Sequence, residues 1–357
     1  MQLANRQLAI GKLAQDHQPT FVAKQAQKSR SLRGAAFKNG KIESAEVKHD
    51  VIICIESNLA IANIQRESEI DMNPDIRGFF DKATNTISYI VSDPVTRAAA
   101  IIDPVLDFSP NDAHVSTSSA DALLGVLDTE KLDLLYLLET HAHADHLSAA
   151  HHLRELTGVP IVIGRHITQV QALFAPMFEA EDVATNGSAF DKLLDEGDQL
   201  PLGDLTIRVM HTPGHTPACV TYLVGNAAFI GDTLFMPDYG TARADFPGGD
   251  ATALYRSIQR ILDLPPETRL FTGHDYLPLG RTDVEWESSV ADQRTDNIHV
   301  HDGVTESAFA AMRDARDLTL SKPKLILPSL QVNIRAGKMP PASPAGQVFL
   351  RLPVNRI

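Results

Sequence analysis

The chain has 357 residues and a formal net charge of −13 at pH 7, with 43% hydrophobic and 22% charged residues, ordinary values for a globular protein. This acidic balance argues against nucleic-acid binding, which requires a basic surface. No apolar run approaches the roughly 20 residues of a membrane-spanning helix. The two cysteines, Cys54 and Cys219, lie far apart in the sequence, so we expect no disulfide framework and a reducing compartment.

Residues 1–71 differ from the rest of the chain. As far as Ile42, they contain Lys and Arg with Asp16 as the only acid, and they show no clear strand pattern. We interpret residues 1–71 as an N-terminal extension that is flexible, a targeting presequence, or an upstream stretch that is not translated, with Met72 as the start. The expected location is the bacterial cytoplasm, or the mitochondrial matrix if the extension is a presequence.

Regular patterning begins near Gly78 and predicts a catalytic domain over residues 72–337. Alternation predicts strands at 86–91 and 98–102, paired as a hairpin. Buried apolar runs predict further strands at 134–138, 159–163, 205–210, 220–224 and 227–230. Predicted helices cover 147–156, ended by Gly158, and 253–264, while 168–194 begins as a helix and continues as a loop.

Hairpins mixed with helices, without strict βαβ alternation, predict an α+β fold. We expect an αββα sandwich in which two mixed β-sheets lie between helical layers. Residues 338–357 are Pro-rich as far as Gly346 and form a predicted tail, whose apolar Val348-Phe349-Leu350 packs on the domain.

The most informative motif is Thr140-His141-Ala142-His143-Ala144-Asp145-His146, which follows the predicted strand at 134–138. A rigid strand that ends in a ligand-bearing loop is a sound way to place a metal ion. Three more candidates, His215, Asp232 and His274, each follow a predicted strand or a Gly/Pro turn. We expect all these side chains to converge, whereas His151 and His211 have no evident convergent partner.

Imidazole and carboxylate ligands without thiolate suit zinc, iron or manganese. Two histidines and one carboxylate with open positions suit Fe(II) and dioxygen chemistry. Additional histidines and a bridging Asp suit a dinuclear hydrolase. Ligand types alone leave both alternatives open.

Four passages resemble the persulfide dioxygenase branch of the metallo-β-lactamase superfamily, in its longer bacterial form. They are Ile101 to Leu106 followed by Asp112, Thr140 to His146, Pro213 to Thr221, and Gly273-His274-Asp275-Tyr276. The resemblance covers residues 75–345. It implies the metallo-β-lactamase sandwich and an enzyme that uses one Fe(II) and dioxygen to oxidise glutathione persulfide to sulfite and glutathione.

The same resemblance assigns candidate roles to individual residues. It implies that His141, His215 and Asp232 bind the iron, and that His143, Asp145, His146 and His274 line the pocket and bind metals in dinuclear relatives. Asp145 and Asp275 are the candidates for orienting the ligands. Arg243 is a candidate for binding a glutathione carboxylate, with a salt bridge to Asp245 as the alternative, and Tyr276 is a candidate for contacting the tripeptide.

Two departures limit the carry-over. Ala336 stands where human-type proteins have a cysteine, so no role of that thiol transfers. The chain also contains no rhodanese-like cysteine motif, so we expect the sulfur to arrive from another protein or as a small molecule.

Two other functions remain as alternatives. One is a dinuclear, Zn(II)-dependent glutathione thioester hydrolase of the glyoxalase II kind, although no basic helical domain is evident after His274. The other is a non-enzymatic persulfide-binding regulator. We expect neither nucleic acid nor membrane as a partner, and a homodimer is the one assembly that we keep open.

Overall fold

The computed structural model describes residues 73–356, so the predicted extension at 1–71 lies outside the described residues. The strands within 73–356 are β1 Asp75–Asp81, β2 Thr86–Ser92, β3 Ala98–Ile102, β4 Val105–Ser109, β5 His114–Ser116, β6 Asp133–Glu139, β7 Leu147–Ser148, β8 Ile161–Gly164, β9 Lys192–Leu194, β10 Gln199–Leu202, β11 Leu205–His211, β12 Val220–Val224, β13 Ala227–Gly231, β14 Arg269–Thr272 and β15 Glu287–Ser289. The helices are α1 Ser118–Glu130, α2 Ala150–Thr157, α3 Ile167–Met177, α4 Ala251–Leu262, α5 Val290–Asp296, α6 Glu306–Asp317 and α7 Ile326–Asn333. No described helix is long and apolar enough to cross a membrane.

Two six-stranded mixed sheets form the centre of the fold. The first has the order β1-β2-β3-β6-β8-β9, antiparallel among β1, β2 and β3 and parallel from β3 to β9. The second runs from β10 to β15 in chain order and is antiparallel except between β13 and β14. A small sheet, β5-β4-β7, lies beside them.

Alternate residues of each strand enter different hydrophobic clusters, because side chains of a strand point to opposite faces. In β2, Ile87 and Val91 belong to the cluster between the sheets, whereas Ile90 packs with α1, α2, α3 and α7. In the second sheet, Phe229 joins the inter-sheet cluster, whereas Ile230 packs with α4, α5 and α6. Helices therefore cover the outer face of each sheet, which confirms the predicted αββα sandwich.

Several local predictions were wrong. Leu147 belongs to strand β7 rather than to a helix, which begins at Ala150. The predicted end of this helix is correct, because Gly158 caps it with a left-handed φ of 74°. The segment 168–194 contains helix α3 but ends in edge strand β9 rather than in a loop.

The C-terminal third contains three helices after His274 and an extended tail. Helices α5, α6 and α7 are not basic: α6 has two Arg against three acids, and α7 has no charged residue. In the tail, Leu350 packs on the first-sheet cluster, but Val348 and Phe349 are 49% and 59% exposed. Docking by these two residues is therefore wrong, because the tail is held by Leu350 and by hydrogen bonds between Arg351 and Gln331.

Candidate metal centre

The seven candidate metal-binding residues lie at one edge of the sandwich, where strands of both sheets end. Residues 140–146, here called the metal loop, connect β6 to β7. Asp232 and His274 follow the parallel neighbours β13 and β14, so their side chains emerge at the same end of the second sheet. Thr140 O accepts from Val220 N at 2.9 Å, and the Tyr222 hydroxyl donates to Glu139 O at 2.8 Å, which joins the two sheets at this edge.

His215 reaches the centre through the tight turn between β11 and β12. Gly214 in this turn has a φ of 141°, and a Cβ there would lie 2.2 Å from Cα of Leu254. Only glycine fits this position, because a side chain would collide with the backbone of α4. The turn therefore packs directly on α4 and presents His215 to the centre.

Asp232 is the residue around which the histidines gather. Its Oδ2 lies 3.7 Å from His141 Nε2 and 3.6 Å from His215 Nε2, and its Oδ1 lies 3.4 Å from His274 Nε2. His274 Nε2 is also 3.1 Å from Asp145 Oδ2. The two carboxylate oxygens of Asp232 therefore face two different sets of ligands.

Three histidines have Nδ1 anchored by a backbone carbonyl, which leaves Nε2 directed to the centre. His215 Nδ1 donates to Arg243 O at 2.8 Å, His146 Nδ1 to Leu147 O at 3.1 Å, and His274 Nδ1 to Asn85 O at 3.1 Å. A carbonyl only accepts, so in each neutral imidazole the proton is on Nδ1. Nε2 then carries the lone pair that a metal ion requires.

His141 is anchored by a hydroxyl rather than a carbonyl. Thr140 Oγ1 donates its single proton to Asp103 Oδ2 at 2.7 Å and lies 3.0 Å from His141 Nδ1. The hydroxyl therefore accepts from Nδ1–H, which gives His141 the same tautomer as the other three. Burial lowers the pKa of His141 well below its ordinary value, which favours the neutral, metal-binding form.

The donor set fits a metal ion. Buried atoms without a hydrogen-bond partner among the described residues include Nε2 of His141, His146 and His274, together with Oδ1 of Asp232 and Oδ2 of Asp145. Uncompensated buried polar atoms are costly, and a bound cation would satisfy the atoms of the group that holds it. Burial lowers the pKa of His274, but the carboxylates of Asp145 and Asp232 outweigh burial and raise this pKa to about 9. The centre therefore favours positive charge.

The ligand atoms form more than one group in which all atoms lie within 4.8 Å of one another. His141, His215 and Asp232 form one group without His143. Asp145 belongs to two others, one with Asp232 and His274 and one with His143 and His146. The arrangement accommodates one metal in the first group and has further ligands for a second.

His143 also faces two buried acids outside these groups. Its Nε2 lies 3.0 Å from Asp103 Oδ1 and 3.2 Å from Glu139 Oε2. Burial lowers the pKa of His143, but the two carboxylates outweigh this effect and raise it well above its ordinary value. Glu139 was not predicted from the sequence, because a Glu that ends an apolar strand gives no local sign of its partner.

The structure separates the two residues that we expected to orient ligands. Asp145 lies in the centre, beside His274. Asp275, in contrast, is buried and binds Arg281 through both oxygens at 2.6 Å, and it also accepts from the amides of Leu277 and Glu285. Its carboxylate therefore organises the loop that follows His274, and its expected role in orienting the ligands stays a prediction.

The predicted substrate-binding residues lie near the centre in different surroundings. The Tyr276 ring stacks on the His274 ring at 5.3 Å and is also near the rings of Phe235 and Tyr239. Arg243 forms the salt bridge that sequence analysis held as the alternative, with Nε 2.5 Å and Nη2 2.8 Å from the Asp245 oxygens. Its Nη1 donates to Ser321 O, so three of its five N–H groups are used.

Residues excluded from the site at the sequence level stay outside these ligand groups. His211 Nε2 donates to Pro217 O at 2.9 Å, and its ring stacks on that of His166. Cys219 is buried, and burial raises the pKa of its thiol to about 12. The anchors that sequence analysis missed are chiefly backbone carbonyls, which carry no residue-specific signal.

A family model described as the metallo-beta-lactamase superfamily matches residues 85–274, from just before β2 to the last candidate ligand. The chain belongs to the metallo-beta-lactamase superfamily. Within this superfamily, it is 53% identical to a probable metallo-hydrolase of Burkholderia pseudomallei, over 79% of this chain and 99% of the relative. It is 41% identical to glyoxylase B2 of Dictyostelium discoideum, over 82% and 99%.

Persulfide dioxygenases are also among the superfamily members that resemble this chain. The human mitochondrial persulfide dioxygenase ETHE1 is 31% identical over 75% of this chain and 91% of the relative. The crystal structure of ETHE1 from Myxococcus xanthus has a TM-score of 0.60 at 31% identity and covers 74% of this chain and 100% of that structure. Some relatives are longer: the chain spans 65% of a beta-lactamase hydrolase-like protein of Xylella fastidiosa.

Proposed function

We propose that this protein is a mononuclear non-haem iron persulfide dioxygenase that oxidises glutathione persulfide to sulfite and glutathione. The overall reaction consumes one dioxygen and one water for each persulfide, and the outer sulfur leaves as sulfite. The observation that carries the proposal is that the ligand atoms of His141, His215 and Asp232 form a group of their own, to which His143 does not belong. Two histidines and one carboxylate with open positions are the ligand set of non-haem Fe(II) oxygenases.

His141, His215 and Asp232 would hold the iron, and a bound Fe(II) would supply the redox chemistry that couples the persulfide to dioxygen. Holding both substrates at one centre makes their reaction effectively intramolecular. The chain's own contribution is to fix the ligand orientations: Thr140 and the Arg243 carbonyl set the tautomers of His141 and His215. Similarity to human persulfide dioxygenase over 91% of its length supports the same assignment.

The proposed substrate contacts come from two residues near the centre. The two unused N–H groups of Arg243 would bind a glutathione carboxylate, because a guanidinium presents a planar pair of donors. The Tyr276 ring is 36% exposed and lies against His274, so it would contact the tripeptide beside the metal ligands. Both contacts are compatible with a substrate whose sulfur reaches the centre.

The first test is elemental analysis of anaerobically purified protein, combined with oxygen uptake on glutathione persulfide in the same preparation. We expect about one iron per chain and oxygen consumption that depends on the persulfide. Two zinc ions or a mixed pair of metals, with no oxygen uptake, would contradict the proposal.

The alternative is a dinuclear glutathione thioester hydrolase that uses Zn(II). It is favoured by Asp232 Oδ1, which faces His274 at 3.4 Å, and by Asp145, which forms one ligand group with Asp232 and His274 and another with His143 and His146. Relatives named metallo-hydrolase and glyoxylase support this alternative at higher identity. The same preparation distinguishes the two, because thioester hydrolysis proceeds without dioxygen.

A further inference from the structure

The metal loop, residues 140–146, is irregular backbone between β6 and β7. It carries four of the candidate ligands, His141, His143, Asp145 and His146. Buried backbone groups outside helices and sheets need partners from side chains or water. The position of the loop therefore depends on the groups that bind its peptide units.

Asn333, the last residue of α7, binds the loop at two points and the following strand β7 at a third. Its Nδ2 donates to the carbonyl oxygens of His143 and His146, both at 2.8 Å, and its Oδ1 accepts from Ser148 N at 2.8 Å. The side chain is 4% exposed. Its amide orientation is fixed by chemistry, because the opposite orientation would set an oxygen against two carbonyls and an NH₂ group against an N–H.

We propose that Asn333 is a positioning residue of the metal centre. Two hydrogen bonds from one side chain fix the carbonyls of His143 and His146, and with them the path of the backbone that carries the ligands. Outer partners of this kind orient metal ligands and tune their affinity. The proposal rests on the metal loop alone and holds for either reaction considered above.

Asn333 is itself held rigidly by the residues that follow it. Arg335 binds Asp182 through Nε at 2.7 Å and Nη2 at 2.6 Å, and Gln171 Nε2 donates to Ile334 O at 3.0 Å. Gly337 has a φ of 84°, and a Cβ there would lie 2.7 Å from Ser148 O. The turn after α7 is therefore pressed against the backbone just beyond the metal loop.

The same helix offers a matched control. Gln331 is 2% exposed and, like Asn333, makes three side-chain hydrogen bonds, with Leu327 O, Arg351 O and Arg351 N. None of these reaches the metal loop. Asn333→Ala and Gln331→Ala therefore each remove three side-chain hydrogen bonds from one helix, but only the first releases the loop.

The experiment measures Co(II) binding to the full-length chain by competition with a chromophoric chelator, together with the visible absorption of bound Co(II). We expect Asn333→Ala to bind Co(II) about 10- to 100-fold more weakly, the range for loss of an outer partner, with altered absorption bands. Gln331→Ala should retain the affinity and the spectrum of the unmodified chain. Equal Co(II) affinity in all three proteins, or an equal loss in both variants, overturns the proposal.

Asn333→Asp is the second variant, because it keeps the acceptor for Ser148 N and loses both donors. It should show the same weakening of Co(II) binding as Asn333→Ala. If it binds Co(II) like the unmodified chain, the proposal is wrong. Unfolding of both Asn333 variants, where Gln331→Ala stays folded by circular dichroism, also overturns it, because Asn333 would then serve the stability of the whole domain.

Discussion

The hydroxyl oxygen of Thr140 lies 3.0 Å from Nδ1 of His141 while its proton is donated to Asp103. The residue before the first ligand thus determines which nitrogen of that ligand carries the lone pair. A valine at this position keeps the shape but removes the acceptor. We expect Thr140→Val to weaken metal binding by about 10- to 100-fold, measured by chelator competition.

Thr212→Val is the control for this prediction. Thr212 is fully buried, and its hydroxyl lies 3.2 Å from the hydroxyl of Thr221 rather than beside a candidate ligand ring. Its loss should leave metal affinity unchanged. An equal loss of affinity in both variants would contradict a specific role of the Thr140 hydroxyl, because loss of a buried hydroxyl elsewhere would then have the same effect.

His141→Ala removes a ligand of the proposed iron triad. We expect loss of metal binding and of turnover, because two remaining ligands of the group do not complete a facial triad. Elemental analysis and oxygen uptake measure the two effects, and His151→Ala, outside the metal groups, is the control. A metal-replete, active His141→Ala protein would remove this residue from the ligand set.

Gly273→Ala changes no ligand but places a methyl group against one. A Cβ at Gly273 would lie 2.5 Å from Asp232 Oδ1, so the carboxylate must move. We expect weaker metal binding, measured by chelator competition, although every ligand residue is retained. Gly125→Ala is the control: a Cβ at this position in α1 meets nothing within 4 Å, and it should stabilise the protein by about 0.5–1 kcal/mol without changing metal affinity.

Arg243 and Asp245 form a salt bridge, so a change in either partner breaks the pair. We expect only Arg243→Ala to raise KM for glutathione persulfide, because the guanidinium also supplies the proposed carboxylate contact. Asp245→Asn should leave KM close to that of the unmodified chain and lower stability instead. Steady-state oxygen uptake measures this difference, and an equal KM in both variants would leave Arg243 with a structural role alone.

The same pair predicts a dependence of stability on pH. Burial raises the pKa of Asp245, but hydrogen bonds from Arg243 and Lys322 outweigh it and lower the pKa to about 2. A lowered carboxyl pKa stabilises the folded state at pH values above the ordinary carboxyl pKa near 4. This contribution disappears as the pH falls through about 2.

The destabilisation caused by Asp245→Asn should therefore be constant between about pH 5 and 7 and shrink below about pH 4. Urea unfolding at several pH values measures it. Asp314→Asn is the control, since this carboxylate has no salt bridge within the described residues. A penalty that does not change with pH would contradict the ion-pair explanation.

The sequence by itself determined the sandwich and most of its strands, because alternation and buried apolar runs report which faces of a strand are covered. It also identified the candidate ligand residues, since His-x-His-x-Asp-His behind a strand is rare without a metal. His141, His215, Asp232 and His274 then met at one edge because each follows a strand or turn of the two sheets.

Tertiary structure decided what local patterns do not encode. Leu147 pairs with Leu106 across the chain, and that contact outweighs its place in a helical pattern. Asp275 has the residue type of a metal-site acid, but Arg281 occupies both of its oxygens. Asn333, 187 positions beyond His146, binds the metal loop only in the folded chain. Hydrogen-bond partners that are distant in the sequence produce no local residue pattern. Only the folded structure shows which polar groups they pair with.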